Sequence, residues 1–129
     1  MTKKITPKPT KAELAILNVL WEKGPSTVRA VFEVLTEAQT VGYTTVLKLM
    51  QIMAQKGLVV RDESERTHVY RAAIKKEATQ RQMAADLVDR VFGGSAAELV
   101  LRVLSHKRAS REEIAEIRRM LDECEGGRK

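Results

Sequence analysis

Residues 42–57 read GYTTVLKLMQIMAQKG, and this stretch decides the fold. On a wheel of about 100° per residue with Thr44 at zero, Lys48, Gln51 and Gln55 fall within about 40° of it. Val46, Leu49, Met50 and Met53 lie on the opposite side, and Thr45, Leu47 and Ile52 flank the polar row. One face is a narrow line of Thr, Lys and Gln, and the other is apolar, as expected of an amphipathic helix laid on a core. Gly57 is placed to end it, because glycine enters the left-handed conformation without a Cβ clash.

Upstream, Thr10-Lys-Ala-Glu13 reads as a capping box, in which the threonine hydroxyl and the glutamate each satisfy a free backbone amide. It opens a first helix over about 11–23, with Leu14, Leu17, Val19, Leu20 and Trp21 as its apolar face and Gly24-Pro25 as its stop. Ser26 is expected to cap a second helix, about 27–38, carrying Val28, Val31, Phe32 and Leu35. Downstream of Gly57, Leu58-Val-Val-Arg61 and His68-Val-Tyr-Arg71 have β-type composition, joined by the polar stretch Asp62–Thr67. Three short helices and a hairpin form the order of a winged helix-turn-helix. The rest is helical by pattern. A fourth helix spans about 74–92 and ends at Gly93-Gly94. Ser95-Ala-Ala-Glu98 and Ser110-Arg-Glu-Glu113 are capping boxes for a fifth and a sixth. The fold expected is mainly α with a small β-hairpin: a winged-helix DNA-binding domain over 1–73 and a helical dimerisation domain over 74–129, meeting near 72–75.

Composition narrows the functional classes. Hydrophobic residues are 43% of the 129, charged residues 31% and aromatics 4%, so a core of aliphatic side chains between helices is expected. The net charge is +6, and residues 1–73 hold 11 Lys/Arg against 7 Asp/Glu. That balance draws the N-terminal part towards polyanions. Cys124 is the single cysteine, which excludes an intrachain disulfide and suits a reducing cytoplasm. No apolar run approaches the roughly 20 residues of a membrane span, so no stable membrane association is expected. Met1-Thr-Lys-Lys-Ile-Thr-Pro-Lys-Pro9 lacks the apolar stretch of a signal peptide and reads as a flexible arm, and Gly126–Lys129 as a frayed tail.

The polar row of the third helix has the chemistry of a major-groove reader. Gln pairs with an adenine edge, Lys reaches guanine acceptors or phosphate, and Thr offers a hydroxyl and a methyl to thymine. Thr44 and Thr45 stand at the helix start, which a recognition helix presents first. No acidic residue occurs between Val41 and Val60. The expected DNA-binding set is Thr44, Thr45, Lys48 and Gln51, with Arg61 and Arg66 of the wing on phosphates. In the C-terminal half, Leu99, Val100, Val103, Leu104, Ile114, Ile117 and Leu121 need cover. Pairing with a second copy would supply it. Double-stranded operator DNA and a homodimeric partner are therefore the expected partners.

Gly42-Tyr-Thr-Thr-Val46, Gln55-Lys-Gly-Leu58 and Val69-Tyr-Arg71 resemble the penicillinase-repressor family, which includes β-lactamase, methicillin-resistance and copper-responsive repressors. Glu13 with Leu20-Trp21, Phe92-Gly-Gly and Ser110-Arg-Glu-Glu-Ile114 agree, so the resemblance covers nearly the whole chain. It implies a dimeric repressor acting on an inverted-repeat operator, with contacts at Thr44, Thr45 and Lys48. In β-lactam-responsive members a membrane-bound metalloprotease sensor triggers cleavage between Asn and Phe. The corresponding bond here is Arg102-Val103, so this chain departs from the family at that site. Copper-responsive members bind metal through paired Cys-x-Cys motifs, which a chain with Cys124 alone does not offer.

His68, His106 and Cys124 share no ligand spacing, so neither a metal site nor a cofactor is expected. No phosphate loop or catalytic constellation supports an enzyme. A winged-helix protein-interaction adaptor and a small-ligand-sensing regulator are the alternative readings. The acid-free basic helix favours DNA over the adaptor, which has no need of it.

Overall fold

The computed structural model describes residues 8–126. Residues 1–7 of the expected arm and 127–129 of the expected tail lie outside the described residues. The order is α1 (Lys11–Lys23), α2 (Val28–Leu35), α3 (Tyr43–Lys56), β1 (Val59–Asp62), β2 (Val69–Ala72), α4 (Lys76–Val91), α5 (Ala96–His106) and α6 (Arg111–Gly126). This is the mainly helical architecture with a hairpin that the patterns predict. The chain divides into two compact units that meet inside α4, between Met83 and Ala84.

In the first unit, α1 starts where the capping box requires. Thr10 Oγ accepts from the Glu13 amide at 3.2 Å, and Glu13 Oε1 accepts from the Thr10 amide at 2.9 Å. The helix α3 ends at Gly57, whose φ of +85° is left-handed, and Leu58 N–H closes the end on Met53 O. The core joins Ile16, Leu17, Val19 and Leu20 of α1 to Val28, Val31 and Leu35 of α2. Val46, Met50 and Met53 of α3 and Leu58, Val59 and Tyr70 of the hairpin complete it. Ile16 is fully buried although the expected apolar face omitted it, whereas Trp21 is half-buried and donates its indole N–H to Ile74 O at 3.0 Å.

The N-cap of α2 is Thr27, not Ser26 as expected, and the helix is shorter than expected. Ser26 is already engaged: its N–H and C=O pair with Tyr70 at 2.9 and 2.8 Å, and its hydroxyl donates to Gly24 O. The residue is held as a bridge beside β2, which leaves Thr27 Oγ to accept from the Ala30 amide. Both strands lie one residue later than expected. They pair antiparallel with Val59 opposite Ala72 and Arg61 opposite Tyr70. Alternation then sets Val59, Arg61, Tyr70 and Ala72 on one face of the hairpin.

In the second unit, Gly93 and Gly94 carry φ of +58° and +87°, a reversal that L side chains resist, and Gly94 N–H bonds back to Val88 O. Ser95 Oγ accepts from the Glu98 amide at the start of α5. Ser110 and Glu113 form the reciprocal pair at the start of α6. Neither α5 nor α6 contains a buried residue. Among the described residues, no helix is long and apolar enough to cross a membrane.

Candidate nucleic-acid interface

The helix α3 turns Val46, Met50 and Met53 into the core and leaves Thr44, Thr45, Lys48, Gln51 and Gln55 exposed. The i, i+4, i+7 spacing of Thr44, Lys48 and Gln51 makes this a continuous crest. Burial of the opposite face fixes the helix rotation, so the crest cannot roll inward without exposing two methionines and a valine.

Two depressions flank the crest. One, of about 290 Å³, is bounded by α2, α3 and the hairpin, and Gln51, Arg61 and Arg66 all line it. Strand register explains the position of Arg61, which shares its hairpin face with buried Tyr70. The Tyr70 side chain first, and then the Glu63 carboxylate at 2.6 Å, hold the Arg61 guanidinium above its usual value despite the opposing effect of desolvation. At the wing tip, Asp62 Oδ1 accepts from the Ser64 amide at 3.0 Å, which holds the Asp62 carboxyl below its usual value. Thr45 lines the other depression, with Lys11, Ala15 and Leu49. The expected residues thus separate into a crest (Thr44, Lys48), a wing-side groove (Gln51, Arg61, Arg66) and an opposite depression (Thr45).

Arg29 and Tyr43 also line the wing-side groove, and neither is in the expected set. The signals available were that Arg29 is the only basic residue of α2 and that Phe32 follows it at i+3 on the same helix. Its proximity to α3 is a tertiary contact that no local spacing encodes.

An ion pair with one buried partner fixes α3 from behind. Glu13 is 2% exposed, and its Oε2 accepts from Lys56 Nζ at 2.7 Å. Burial alone would push this carboxyl up, but the Lys56 ammonium and the Thr10 donors outweigh burial and hold it below its ordinary 4.5. One side chain therefore caps the start of α1 and tethers the end of α3.

The second unit carries the other candidate surface. Val100, Val103, Leu104 and Leu121 are exposed, while Leu99, Ile114 and Ile117 are half-buried. Leu87, Val91, Leu101 and Met120 are exposed as well. They are exposed apolar residues of the second unit that were not anticipated. Arg102 and Val103 are both exposed, in the interior of α5.

The sequence profile of the penicillinase repressor family matches residues 9–123. A Mycobacterium tuberculosis protein, "Transcriptional regulator BlaI", is 29% identical over 116 residues, covering 89% of this chain and 83% of that one. A Staphylococcus aureus "Penicillinase repressor" is 23% identical over 112 residues, covering 87% and 89%. A Bacillus licheniformis "Penicillinase repressor" is 25% identical over 123 residues, covering 95% and 96%. The structure titled "Solution structure of the DNA binding domain of the repressor BlaI" superposes with a TM-score of 0.51 at 23% identity, over 57% of this chain and 90% of that one. That likeness is one of fold. The match over nearly the whole length places the chain in the penicillinase repressor family.

Proposed function

We propose that the chain is a cytoplasmic, homodimeric transcriptional repressor that binds an inverted-repeat operator through α3 and the β1–β2 wing. The observation that carries this reading is the surface of α3. It presents an exposed crest of Thr44 and Lys48, with no carboxylate anywhere on the helix, next to a groove where Gln51, Arg61 and Arg66 converge. The crest supplies base-edge donors and acceptors, and the wing arginines supply phosphate contacts. The apolar surface of the second unit supports the dimer. A two-fold pairing would cover it and set two recognition helices about 34–36 Å apart, one turn of DNA.

The reading extends to release. The family's scissile position corresponds to Arg102-Val103. A cut there would detach α6 and the end of α5 from the remainder, and each half would then hold only one half-site. The bond lies inside a regular helix, so a protease, whether a membrane-bound metalloprotease sensor or one acting downstream of it, needs α5 to unwind locally first.

The test is selection from a random duplex pool followed by titration of the selected operator. The enriched sequence should be an inverted repeat, and Lys48→Ala should bind it more weakly by about 1–3 kcal/mol while unfolding like the parent. A pool that yields no enriched sequence would sink the reading.

A further inference from the structure

The groove beside α3 holds basic chemistry that the wing does not supply. Arg29 stands in the first turn of α2, just after the Thr27 cap. Its guanidinium carbon lies 5.3 Å from the centre of the Tyr43 ring and 5.9 Å from that of Phe32. The two rings meet edge to face at 5.6 Å. A guanidinium over an aromatic face is attracted by the ring and keeps its N–H donors in its own plane, open at the edge to an anion. The rings also hold a long side chain in place before any ligand arrives, so less rotamer freedom is lost on binding.

Among the described residues, charge pairing sets Arg61 apart from Arg29 and Arg66, and of the three arginines of this groove Arg29 alone is held over aromatic rings. Arg61 is tied to Glu63 at 2.6 Å. Among the described residues, no carboxylate forms an ion pair with Arg29. Thr27 and Val28 line the groove beside Arg29, so the N-terminal end of α2, where the helix dipole favours negative charge, faces the same space. Gln51 lines it from the α3 side, which makes the groove continuous with the crest.

We propose that Arg29, held by Tyr43 and Phe32, is the principal phosphate clamp of this groove and grips one backbone phosphodiester beside the bases that α3 faces. The inference rests on the reading of the chain as an operator-binding protein. It assigns the strongest sequence-independent contact to α2, and it makes Arg61 the weaker partner because binding must compete with Glu63. Tyr43 is a positioning residue here, acting through the arginine it supports.

The full-length chain is titrated by fluorescence anisotropy against its selected operator and a scrambled duplex, between about 50 and 200 mM salt. A parent that binds neither duplex overturns the operator reading and this inference with it. Given parent binding, Arg29→Ala should weaken both duplexes by a similar factor, roughly ten-fold or more. The slope of log affinity against log salt should become shallower by about one per protomer. Arg29→Lys should restore the slope while leaving affinity below the parent's, since it keeps the charge and loses the fork and the stacking. Duplexes carrying one neutral methylphosphonate at successive positions locate the contact. The parent should lose affinity at one position per half-site where Arg29→Ala loses none. An Arg29→Ala chain that unfolds like the parent, with unchanged salt slope and unchanged methylphosphonate profile, overturns the clamp. So does a larger uniform loss in Arg61→Ala than in Arg29→Ala. If Arg29→Ala does not fold, a parent-like affinity in Arg29→Lys overturns it equally.

Discussion

The two compact units treat their apolar side chains in opposite ways. Every fully buried hydrophobic residue among those described lies between Ile16 and Tyr70. There the apolar faces of three helices and a hairpin close on one another. In the second unit, α5 and α6 also have regular apolar spacing, yet no residue of either is fully buried, and Leu99, Ile114 and Ile117 are only half-buried. Leu101 and Leu121 are each 59% exposed, and Val91 is 63% exposed. Amphipathic periodicity shows that a helix has a face to cover and leaves open what covers it. In the first unit the cover is intramolecular. In the second, a surface this apolar on a basic, well-charged chain is the kind that marks an interface.

The contrast can be broken most severely by removing the surface proposed for pairing. The double substitution Leu104→Asp, Ile117→Asp should leave the first unit folded and convert the proposed dimer to a 14.5 kDa monomer in light scattering. Operator affinity should fall by roughly 10²–10⁴-fold, because the second half-site is no longer engaged within the same molecule. A variant that stays dimeric would place the interface elsewhere. A core deletion comes next. Leu17→Ala in the buried cluster should cost about 2–5 kcal/mol in denaturant unfolding, whereas Leu121→Ala should cost far less in a chain kept monomeric by the double substitution. Equal costs would erase the distinction between the units.

The smallest effect tests the tether behind α3. Glu13 has a carboxyl held low in the folded chain, so the unfolded state binds its proton more readily. Its contribution is therefore fully present above about pH 4.5 and disappears as pH falls through the lower folded value. Glu13→Gln should lose about 1–2 kcal/mol near neutral pH, a buried-pair loss reduced by the partial exposure of Lys56. The gap between parent and variant should close in acid. A gap that is constant with pH would mean that the pair contributes no charge-dependent stability.

The elements most legible in the sequence are those whose ends are written locally. The reciprocal bonds of Thr10 with Glu13 and the left-handed Gly57 fix α1 and α3 at the residues expected. The crest of α3 was legible because one helical period sorts Thr44, Lys48 and Gln51 from Val46, Met50 and Met53. What was not legible depends on partners distant along the chain. Ser26 looks like a cap until Tyr70 claims its backbone. Glu13 looks only like a cap until Lys56 takes its second oxygen. Arg29 looks like an ordinary surface cation until the Tyr43 ring of α3 comes to it. Each is a contact between elements, and the spacing within an element carries no record of it.

Trp21 is the only tryptophan in the chain, and its indole N–H is spent on the carbonyl of Ile74, where the chain leaves the hairpin for α4. The molecule therefore carries an optical probe confined to the first unit. Indole emission follows the detachment of that exit segment from α1, whereas far-ultraviolet dichroism sums over the helices of both units. If dichroism falls before the indole signal, the second unit loses order first, and the surface proposed for pairing is lost while the half proposed to face DNA is still intact.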